Sequence, residues 1–226
     1  MGIAENLLAV KTKISEAAIA SGRLPLSVNL IAVSKTHPVA AVLEAMRAGQ
    51  LDFGENRVQE MVEKQAKAPE ARWHMIGSLQ RNKVRQIAGF VHLIHSVDSE
   101  RLLEEIDKQA AAHNRVIDCL LQINISHEAQ KSGMEESEAD ALLSKISSFP
   151  HVRIVGLMGM AEFTDNMEIV GRQFQRLTDA RTRLGKHEGT QVHMRELSMG
   201  MSGDYEVAID KGATMVRVGS SIFGHR

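Results

Sequence analysis

The opening segment of the chain has the hydrophobic spacing of an amphipathic helix. Its apolar residues recur three or four positions apart, which places them on one face of an α-helix. They are Ile3, Leu7, Val10, Ile14 and Ala18. The pattern stops near Ser21 and Gly22, so we predict that the first helix ends there.

The rest of the chain alternates between short apolar runs, typical of strands, and longer segments with helical spacing. The predicted strands cover 29–34, 51–54, 72–76, 91–96, 116–124, 152–158, 195–198 and 214–218. The predicted helices between them cover 38–48, 56–67, 80–88, 99–112, 135–147, 167–184 and 203–211. No linker, low-complexity tract or shift in composition interrupts this alternation, so we expect a single domain over residues 1–226.

Strict alternation of eight strands with seven helices favours a (β/α)8 barrel of the TIM type. An open doubly wound sheet is the competing architecture, although it normally has about five or six strands. The last strand is followed only by GSSIFGHR, which is too short for a barrel helix of normal length. Because strand one lies beside strand eight in a barrel, the opening helix could cover this gap.

Charge and cysteine content narrow the function classes. The 27 basic and 28 acidic residues nearly cancel, so the charge of the whole chain favours neither nucleic acid nor an anionic membrane. Cys119 is the only cysteine, and we expect it to be a small buried hydrophobe in a reducing compartment. The first residues lack the pattern of a secretory signal, and no apolar run approaches the length of a membrane span. We therefore expect a cytoplasmic protein.

The carboxyl ends of the strands hold the active site in a parallel barrel, so residues there are candidates for chemistry. The first strand ends at Lys35, and Pro38 then turns the chain. The other strand ends carry Asn56, His74, Gly77, His95, Asn124, Met158 and Met160. An amine, amides and imidazoles are therefore expected on one rim. His92 and His95 stand three apart on one strand and face opposite ways, so we predict no metal site.

Two turns rich in glycine and serine follow the last two strands, where barrels often bind phosphate. The first contains Ser198, Ser202 and Gly203, and the second contains Gly219, Ser220 and Ser221. Backbone N–H groups in such turns, next to a helix N-terminus, form a cradle for an anion. One such turn alone would be an ordinary turn, but two at these strands predict phosphate binding.

An amine buried opposite a phosphate site indicates Schiff-base chemistry. Burial lowers the pKa of a lysine, so the neutral amine of Lys35 could condense with a carbonyl group. The carbonyl could belong to a sugar phosphate, as in an aldolase, or to pyridoxal 5′-phosphate (PLP). On the last strand, Arg217 takes the face opposite to Val216 and Val218. If Arg217 points inward, it could meet the pyridine nitrogen of PLP.

Six segments, spread over the chain from about residue 30 to residue 224, occur in the order of a known family. They are AVSKTHP, FGENRVQE, WHMIGSLQRNK, LMGMA, ELSMGMSGDYEVAI and VRVGSSIFG. The segments resemble those of the pyridoxal-phosphate homeostasis proteins. That family is similar to the N-terminal barrel domain of bacterial alanine racemases, the fold-type III group of PLP proteins.

The resemblance implies a set of cofactor-binding residues. It implies that PLP is held as an internal aldimine on Lys35 and that Arg217 faces the pyridine nitrogen. The residues implied to surround the phosphate are Ser198, Ser202, Gly203, Gly219 and Ser220. Asn56 and His74 match motif positions near the ring, and Met199 is counted with the cofactor-binding residues.

The function implied by the resemblance is intracellular PLP homeostasis, in which the protein buffers the cofactor or delivers it to apo PLP-dependent enzymes. We expect no robust catalytic activity. The alternative is a PLP-dependent amino-acid racemase, and a less favoured one is a Schiff-base aldolase. A two-base racemase needs an acid or base on each face of the substrate, and the only tyrosine is Tyr205, after strand seven. Some family members carry a second lysine where this chain has His37, which leaves Lys131 as the candidate for moving the cofactor.

Overall fold

Eight parallel strands close into a barrel in the computed structural model, which describes residues 2–126 and 133–224. The strands are β1 (Asn29–Val33), β2 (Asp52–Glu55), β3 (Arg72–Met75), β4 (Leu93–Val97), β5 (Ile117–Gln122), β6 (Val152–Met158), β7 (Val192–Met201) and β8 (Met215–Val218). Their order around the barrel is their order along the chain, and β1 pairs with both β2 and β8. The predicted (β/α)8 barrel is therefore confirmed, and the open sheet is wrong.

Helices connect the strands and surround the barrel. They are α1 (Ile3–Ala20), α2 (Val39–Arg47), α3 (Val58–Gln65), α4 (Glu100–Ala112), α5 (Glu136–Leu143), α6 (Met167–Leu184), α7 (Tyr205–Asp210) and α8 (Ser220–Phe223). The helix predicted over 80–88 is instead a 3₁₀ helix at Arg81–Gln86. Its buried residue Val84 and the buried Ile87 directly after it are three apart, a spacing that suits the three-residue turn of a 3₁₀ helix as well as an α-helix.

Helix α1 closes the ring of helices beside α8, which forms only a single turn after β8 in the described residues. It packs against α7 and α8, and Asn6 Nδ2 donates a hydrogen bond of 3.0 Å to the carbonyl oxygen of Ile222. Its predicted apolar face is buried, with Leu7 and Val10 in the core. The expectation that the opening helix covers this gap is confirmed, although the sequence did not predict the single turn of α8. Within residues 2–126 and 133–224, no helix is both long enough and apolar enough to cross a membrane.

Two layers of side chains form the core, because each barrel strand is buried on both faces. On β1, Leu30 and Ala32 belong to the layer between the strands and the helices, whereas Ile31 lies inside the barrel. The inner layer also contains Leu93, Leu120, Val155, Met158 and Met215. This alternation puts Lys35 in line with Ile31 on the inner side of β1, and it gives Arg217 an inward direction on β8.

Candidate functional site

A cavity of about 420 Å³ opens at the carboxyl ends of the strands. Its volume lies in the range of small-molecule binding sites, and its position is that of active sites in such barrels. It is lined by Val33, Lys35, Asn56, Ile76, Gly77, Ser78, Gln122, Met160, Met201, Ser202, Arg217, Gly219 and Ser220. An amine, a guanidinium, amides and hydroxyls therefore converge on one space.

Lys35 follows the end of β1 and lines the cavity, but it is exposed to solvent. The expectation of a buried amine is wrong, because β1 ends at Val33 and the next residues rise to the open rim. The backbone after Lys35 is unusual: Thr36 has a φ of 66°, in the left-handed region that β-branched residues rarely adopt. Such a conformation persists only where surrounding contacts hold it.

Helix α3 supplies those contacts on both sides of Lys35. Before Lys35, the Lys64 amine donates a hydrogen bond of 2.7 Å to the carbonyl oxygen of Ser34. After it, the N–H of Thr36 donates to Glu60 Oε2 at 2.7 Å. Lys64 Nζ also lies 3.6 Å from Glu60 Oε2, so the two side chains that bind the backbone before and after Lys35 form an ion pair with each other. We call Lys64 and Glu60, with their bonds to residues 34 and 36, the α3 clamp.

A buried carboxylate completes the α3 clamp beneath the loop. Glu55 Oε1 accepts hydrogen bonds from Lys64 Nζ at 2.7 Å and from the Ser34 hydroxyl at 2.6 Å. Burial raises the pKa of Glu55 even though Lys64 and Ser34 oppose the shift, and its Oε2 has no hydrogen-bond partner among the described residues. No pattern in the sequence singles out Glu55, since only the folded structure shows that Lys64 of α3 covers it.

The turns after β7 and β8 meet at the cavity. The N–H of Gly219 donates a hydrogen bond of 3.3 Å to the Ser202 hydroxyl, and both residues line the cavity together with Ser220. A side chain at Gly219 would bring a Cβ within 2.9 Å of the carbonyl oxygen of Val33, so only glycine allows this close approach. The first amides of α8 have no partner within that helix and remain available to an anion.

Arg217 lies inside the barrel below these turns and is 4% exposed. Its Nη1 donates a hydrogen bond of 2.6 Å to the Ser198 hydroxyl, and its Nη2 donates one of 3.2 Å to the carbonyl oxygen of Gly159. Burial lowers the pKa of Arg217 to about 10, and the nearby charge of Asp204 opposes that shift. The guanidinium is therefore still charged at neutral pH and can present its remaining N–H groups to the cavity.

Comparison with known proteins decides the family. The model of the alanine racemase N-terminal domain matches residues 6–226. The pyridoxal phosphate homeostasis protein of Pseudomonas aeruginosa is 42% identical over 99% of this chain and 96% of its own length. That of Escherichia coli K12 is 40% identical over 99% of this chain and 97% of its own length. The chain belongs to the pyridoxal phosphate homeostasis protein family.

A solved structure of similar sequence supports the same assignment. PipY of Synechococcus elongatus, solved with PLP bound, is 38% identical and superposes with a TM-score of 0.86 over 98% of this chain and 100% of its own. Because the match runs over both chains almost completely, this member of the homeostasis family has the same barrel as PipY.

The predicted cofactor-binding residues of this family member fall into two groups. Those that line the cavity are Lys35, Asn56, Ser202, Arg217, Gly219 and Ser220. Gly203 is exposed beside the cavity, and Met199 is fully buried in the layer between the strands and helices. Ser198 and His74 are buried inside the barrel and are hydrogen-bonded to other side chains there.

Some cavity residues were missed by sequence reasoning. Gln122, at the end of β5, lines the cavity and is buried. Its position two residues after the inward-facing Leu120 could have identified it, since alternate residues of a strand share a face. Ser78 also lines the cavity, in a segment that was noted only as part of a motif. Lys131, the predicted transfer lysine, lies outside the described residues.

A second polar cluster lies where β2, β3 and β4 begin, at the opposite end of the barrel. One atom from each of Asp52, His74 and His92 falls within 4.8 Å of the others. Arg72 donates to the second carboxylate oxygen of Asp52, which puts a positive charge beside the cluster. The negative charge of Asp52 is therefore already neutralised by Arg72. Both ring nitrogens of His74 are hydrogen-bonded to neighbouring side chains.

Proposed function

We propose that this protein binds PLP in the cavity at the carboxyl ends of the strands and takes part in cellular PLP homeostasis by holding the cofactor and releasing it to apo-enzymes. The observation that carries the proposal is the convergence of Lys35, Arg217 and the turn at Gly219 on one cavity. Lys35 would bind an aldehyde, Arg217 a pyridine nitrogen, and the turn at Gly219 a phosphate. The relatives named for PLP homeostasis and PLP-bound PipY support it.

The residues of the cavity fit the three parts of the cofactor. Ser202, Ser220 and the amides after Gly219 offer uncharged donors to a phosphate, close to a helix N-terminus. Arg217 offers an N–H group to the ring nitrogen, and a charged guanidinium that donates there leaves this nitrogen without a proton. PLP itself would supply an aldehyde and an electron sink, and the unprotonated ring weakens the sink.

Lys35 would hold the cofactor covalently. Its neutral amine would condense with the aldehyde of PLP: a C=N bond would replace the C=O bond, and the carbonyl oxygen would leave as water together with the two hydrogens of the amine. The exposed rim position of Lys35 gives solvent direct access to this bond. Water that can reach the C=N bond can also hydrolyse it, which is what release of the cofactor requires.

The lining of the cavity favours a carrier over a racemase. Racemisation requires one acid or base on each face of the substrate carbon. Lys35 can serve one face, but no carboxylate, imidazole, thiol or phenol occurs among the described residues that line the cavity. Tyr205 is 6% exposed and packs in the outer core, away from that lining. We therefore propose that robust amino-acid catalysis is absent and that the protein acts in the cytoplasm as a reservoir.

The test of this proposal is reductive trapping. Incubation with PLP followed by borohydride should add one pyridoxyl phosphate group to the protein, and peptide mass spectrometry should place it on Lys35. Lys35→Arg is the matched control, because it keeps the positive charge and cannot form the C=N bond. A protein that gains no adduct, or an adduct that persists in Lys35→Arg, would refute covalent binding through Lys35.

A further inference from the structure

A continuous chain of buried hydrogen bonds joins Arg217 at the cavity to Asp52 at the opposite end of the barrel. Arg217 Nη1 contacts the Ser198 hydroxyl at 2.6 Å, and that hydroxyl contacts His95 Nδ1 at 2.8 Å. His95 Nε2 contacts His74 Nδ1 at 3.0 Å, and His74 Nε2 contacts Asp52 Oδ1 at 3.0 Å. The side chains of all five residues lie on the inner side of the strands, inside the barrel.

The charge at the Asp52 end fixes the direction of the first bond. Burial opposes the ionisation of Asp52, but the hydrogen bond from His74 and the hydrogen bond and charge of Arg72 lower the pKa of Asp52 overall. An ionised carboxylate can only accept hydrogen bonds. His74 must therefore carry its proton on Nε2 and donate it to Asp52.

If both histidines are neutral, the His74–His95 bond and the His95–Ser198 bond can each run in only one direction. Burial lowers the pKa of His74, so the ring is neutral and its Nδ1 is an acceptor. His95 Nε2 must supply the proton to that acceptor. Burial, with the charge of Arg217, also lowers the pKa of His95 well below its usual value, so His95 Nδ1 in turn accepts from the Ser198 hydroxyl.

The Arg217 end fixes the direction of the bonds at Ser198. A guanidinium can only donate, so the Ser198 oxygen accepts from Arg217 while its proton goes to His95. If His74 were doubly protonated, it would still donate to Asp52, but its bond to His95 and the bond from His95 to Ser198 would both reverse, and the Ser198 hydrogen would lose its acceptor. The one-way arrangement pairs every imidazole nitrogen of the chain and the hydroxyl hydrogen of Ser198, as buried polar groups require.

We propose that Ser198, His95 and His74 are positioning residues that hold Arg217 at the cavity through a one-way chain of hydrogen bonds ending on Asp52. The chain anchors one nitrogen of the guanidinium, and the bond to the carbonyl oxygen of Gly159 anchors another. The N–H groups that remain are thereby directed to the cavity. Ser198 has its proton committed to His95, so its hydroxyl cannot also donate to a phosphate.

The direction of the chain can be tested without any cofactor. Nitrogen-15 NMR of the imidazole rings should show both His74 and His95 protonated on Nε2. Asp52→Asn should reverse both rings: Arg72 selects the amide oxygen, so the amide NH2 group faces His74 and turns its Nε2 into an acceptor. Protonation of either ring on Nδ1 in the parent protein would overturn the proposal, and so would an Asp52→Asn variant whose rings stay unchanged.

A matched control exists on β5, the strand next to β4. Asp118 accepts from Arg153 at 2.6 and 2.9 Å between β5 and β6, as Asp52 accepts from Arg72 between β2 and β3. Asp118→Asn therefore removes a comparable charge without touching the chain, and it should leave both ring tautomers as in the parent. A reversal in this variant as well would show that the tautomers respond to general charge, which contradicts the proposal.

The positioning role is tested by two substitutions at His95, and this part rests on the proposed binding of PLP. His95→Gln keeps one acceptor and one donor in a planar group, whereas His95→Leu keeps neither. His95→Leu should weaken PLP binding about tenfold, as expected for losing support of a charged hydrogen bond, whereas His95→Gln should stay within about twofold. Competition by inorganic phosphate should be unchanged in both, because the turn at Gly219 is intact.

The outcomes separate this proposal from the proposed function. If PLP fails to bind the parent protein, the proposed function fails, while the tautomer measurements still decide the direction of the chain. If PLP binds the parent and His95→Leu binds it equally well, the positioning role is wrong. If His95→Gln loses as much affinity as His95→Leu, the ring acts through its shape rather than its hydrogen bonds, which also refutes the proposal.

Discussion

At the scale of single residues, the site depends on how closely the backbone after β8 approaches β1. Gly219 lies where a Cβ would come within 2.9 Å of the carbonyl oxygen of Val33, and its N–H is held by the Ser202 hydroxyl. This approach brings the first turn of α8 to the same cavity as Lys35. The turn proposed to bind the phosphate and the amine of Lys35 are thus adjacent because one residue has no side chain.

Substitution of Gly219 should therefore weaken cofactor binding more than loss of the Ser202 hydroxyl. Ser202→Ala removes one hydrogen-bonding group, and charge-assisted bonds contribute about 1.5 to 3 kcal/mol each. Gly219→Asp adds a negative charge beside the phosphate and forces the backbone away from Val33, so its PLP affinity should fall further. Fluorescence titration with PLP measures both.

Gly185→Asp is the control for added charge, because a Cβ at Gly185 meets nothing within 4 Å and the residue follows α6, outside the cavity lining. It should titrate like the parent. Equal affinity of all three variants would place the phosphate elsewhere.

The sequence predicted which strands carry the cavity residues better than it predicted how deep each residue lies in the barrel. Lys35 and Arg217 could be predicted because each ends or alternates on an apolar strand at the rim of a barrel. The position of Ser198 could not, since depth inside a barrel depends on the stagger of strands, and the register between β7 and β8 shifts between Ser198 and Met201. That shift buries Ser198 against His95 and leaves Ser202 at the rim.

At the scale of secondary structure elements, α3 has a second role besides covering β2. Through the α3 clamp, Lys64 and Glu60 bind the backbone on either side of Lys35, and Glu55 of β2 neutralises Lys64 beneath them. The strained φ of Thr36 is held by this helix rather than by the loop itself. The orientation of the amine is therefore set by an element that does not line the cavity.

Removal of the Lys64 amine should destabilise the whole fold. Glu55 is fully buried and Lys64 is 6% exposed, so Lys64→Met would leave a buried carboxylate without its cation. Breaking such a pair costs about 3 to 5 kcal/mol, measurable by urea denaturation.

Lys67→Met on the adjoining exposed surface is the control and should change stability by no more than about 0.5 kcal/mol. The double variant Lys64→Met with Glu55→Gln should recover part of the loss, because the uncompensated charge is gone. A Lys64→Met protein as stable as the Lys67→Met control would show that the α3 clamp contributes nothing.

Hydrophobic spacing predicted an element well where the periodic pattern continued over many residues. Helix α6 was predicted over 167–184 and forms Met167–Leu184, because its apolar stripe is continuous and Asn166 caps its start, accepting from the N–H of Glu168 at 3.1 Å. The four residues of α8 could not be predicted, since one turn contains too few positions to show a period.

At the scale of the whole molecule, the closed barrel connects its two ends through the polar chain from Arg217 to Asp52. Apolar residues such as Leu93, Leu120 and Met215 form a cluster in the same inner layer, through which the chain runs from the cavity to the opposite end. The cavity itself is open to solvent at Lys35. The single domain and the cytoplasmic location stay predictions.

An open cavity with one titratable amine should make the protein a donor of cofactor rather than a catalyst. General acid–base assistance is worth about 10² to 10⁴ in rate, and the described lining offers no second group for it. In deuterated water, the PLP-loaded protein should therefore leave the α-hydrogen of L- and D-alanine essentially unexchanged over hours. Mixed with an apo-enzyme that requires PLP, the same preparation should restore that enzyme's activity. Free PLP at the concentration that dissociates spontaneously is the control for transfer. Rapid α-deuteration that disappears in Lys35→Ala would instead identify a small barrel racemase, and an apo-enzyme that stays inactive would contradict delivery.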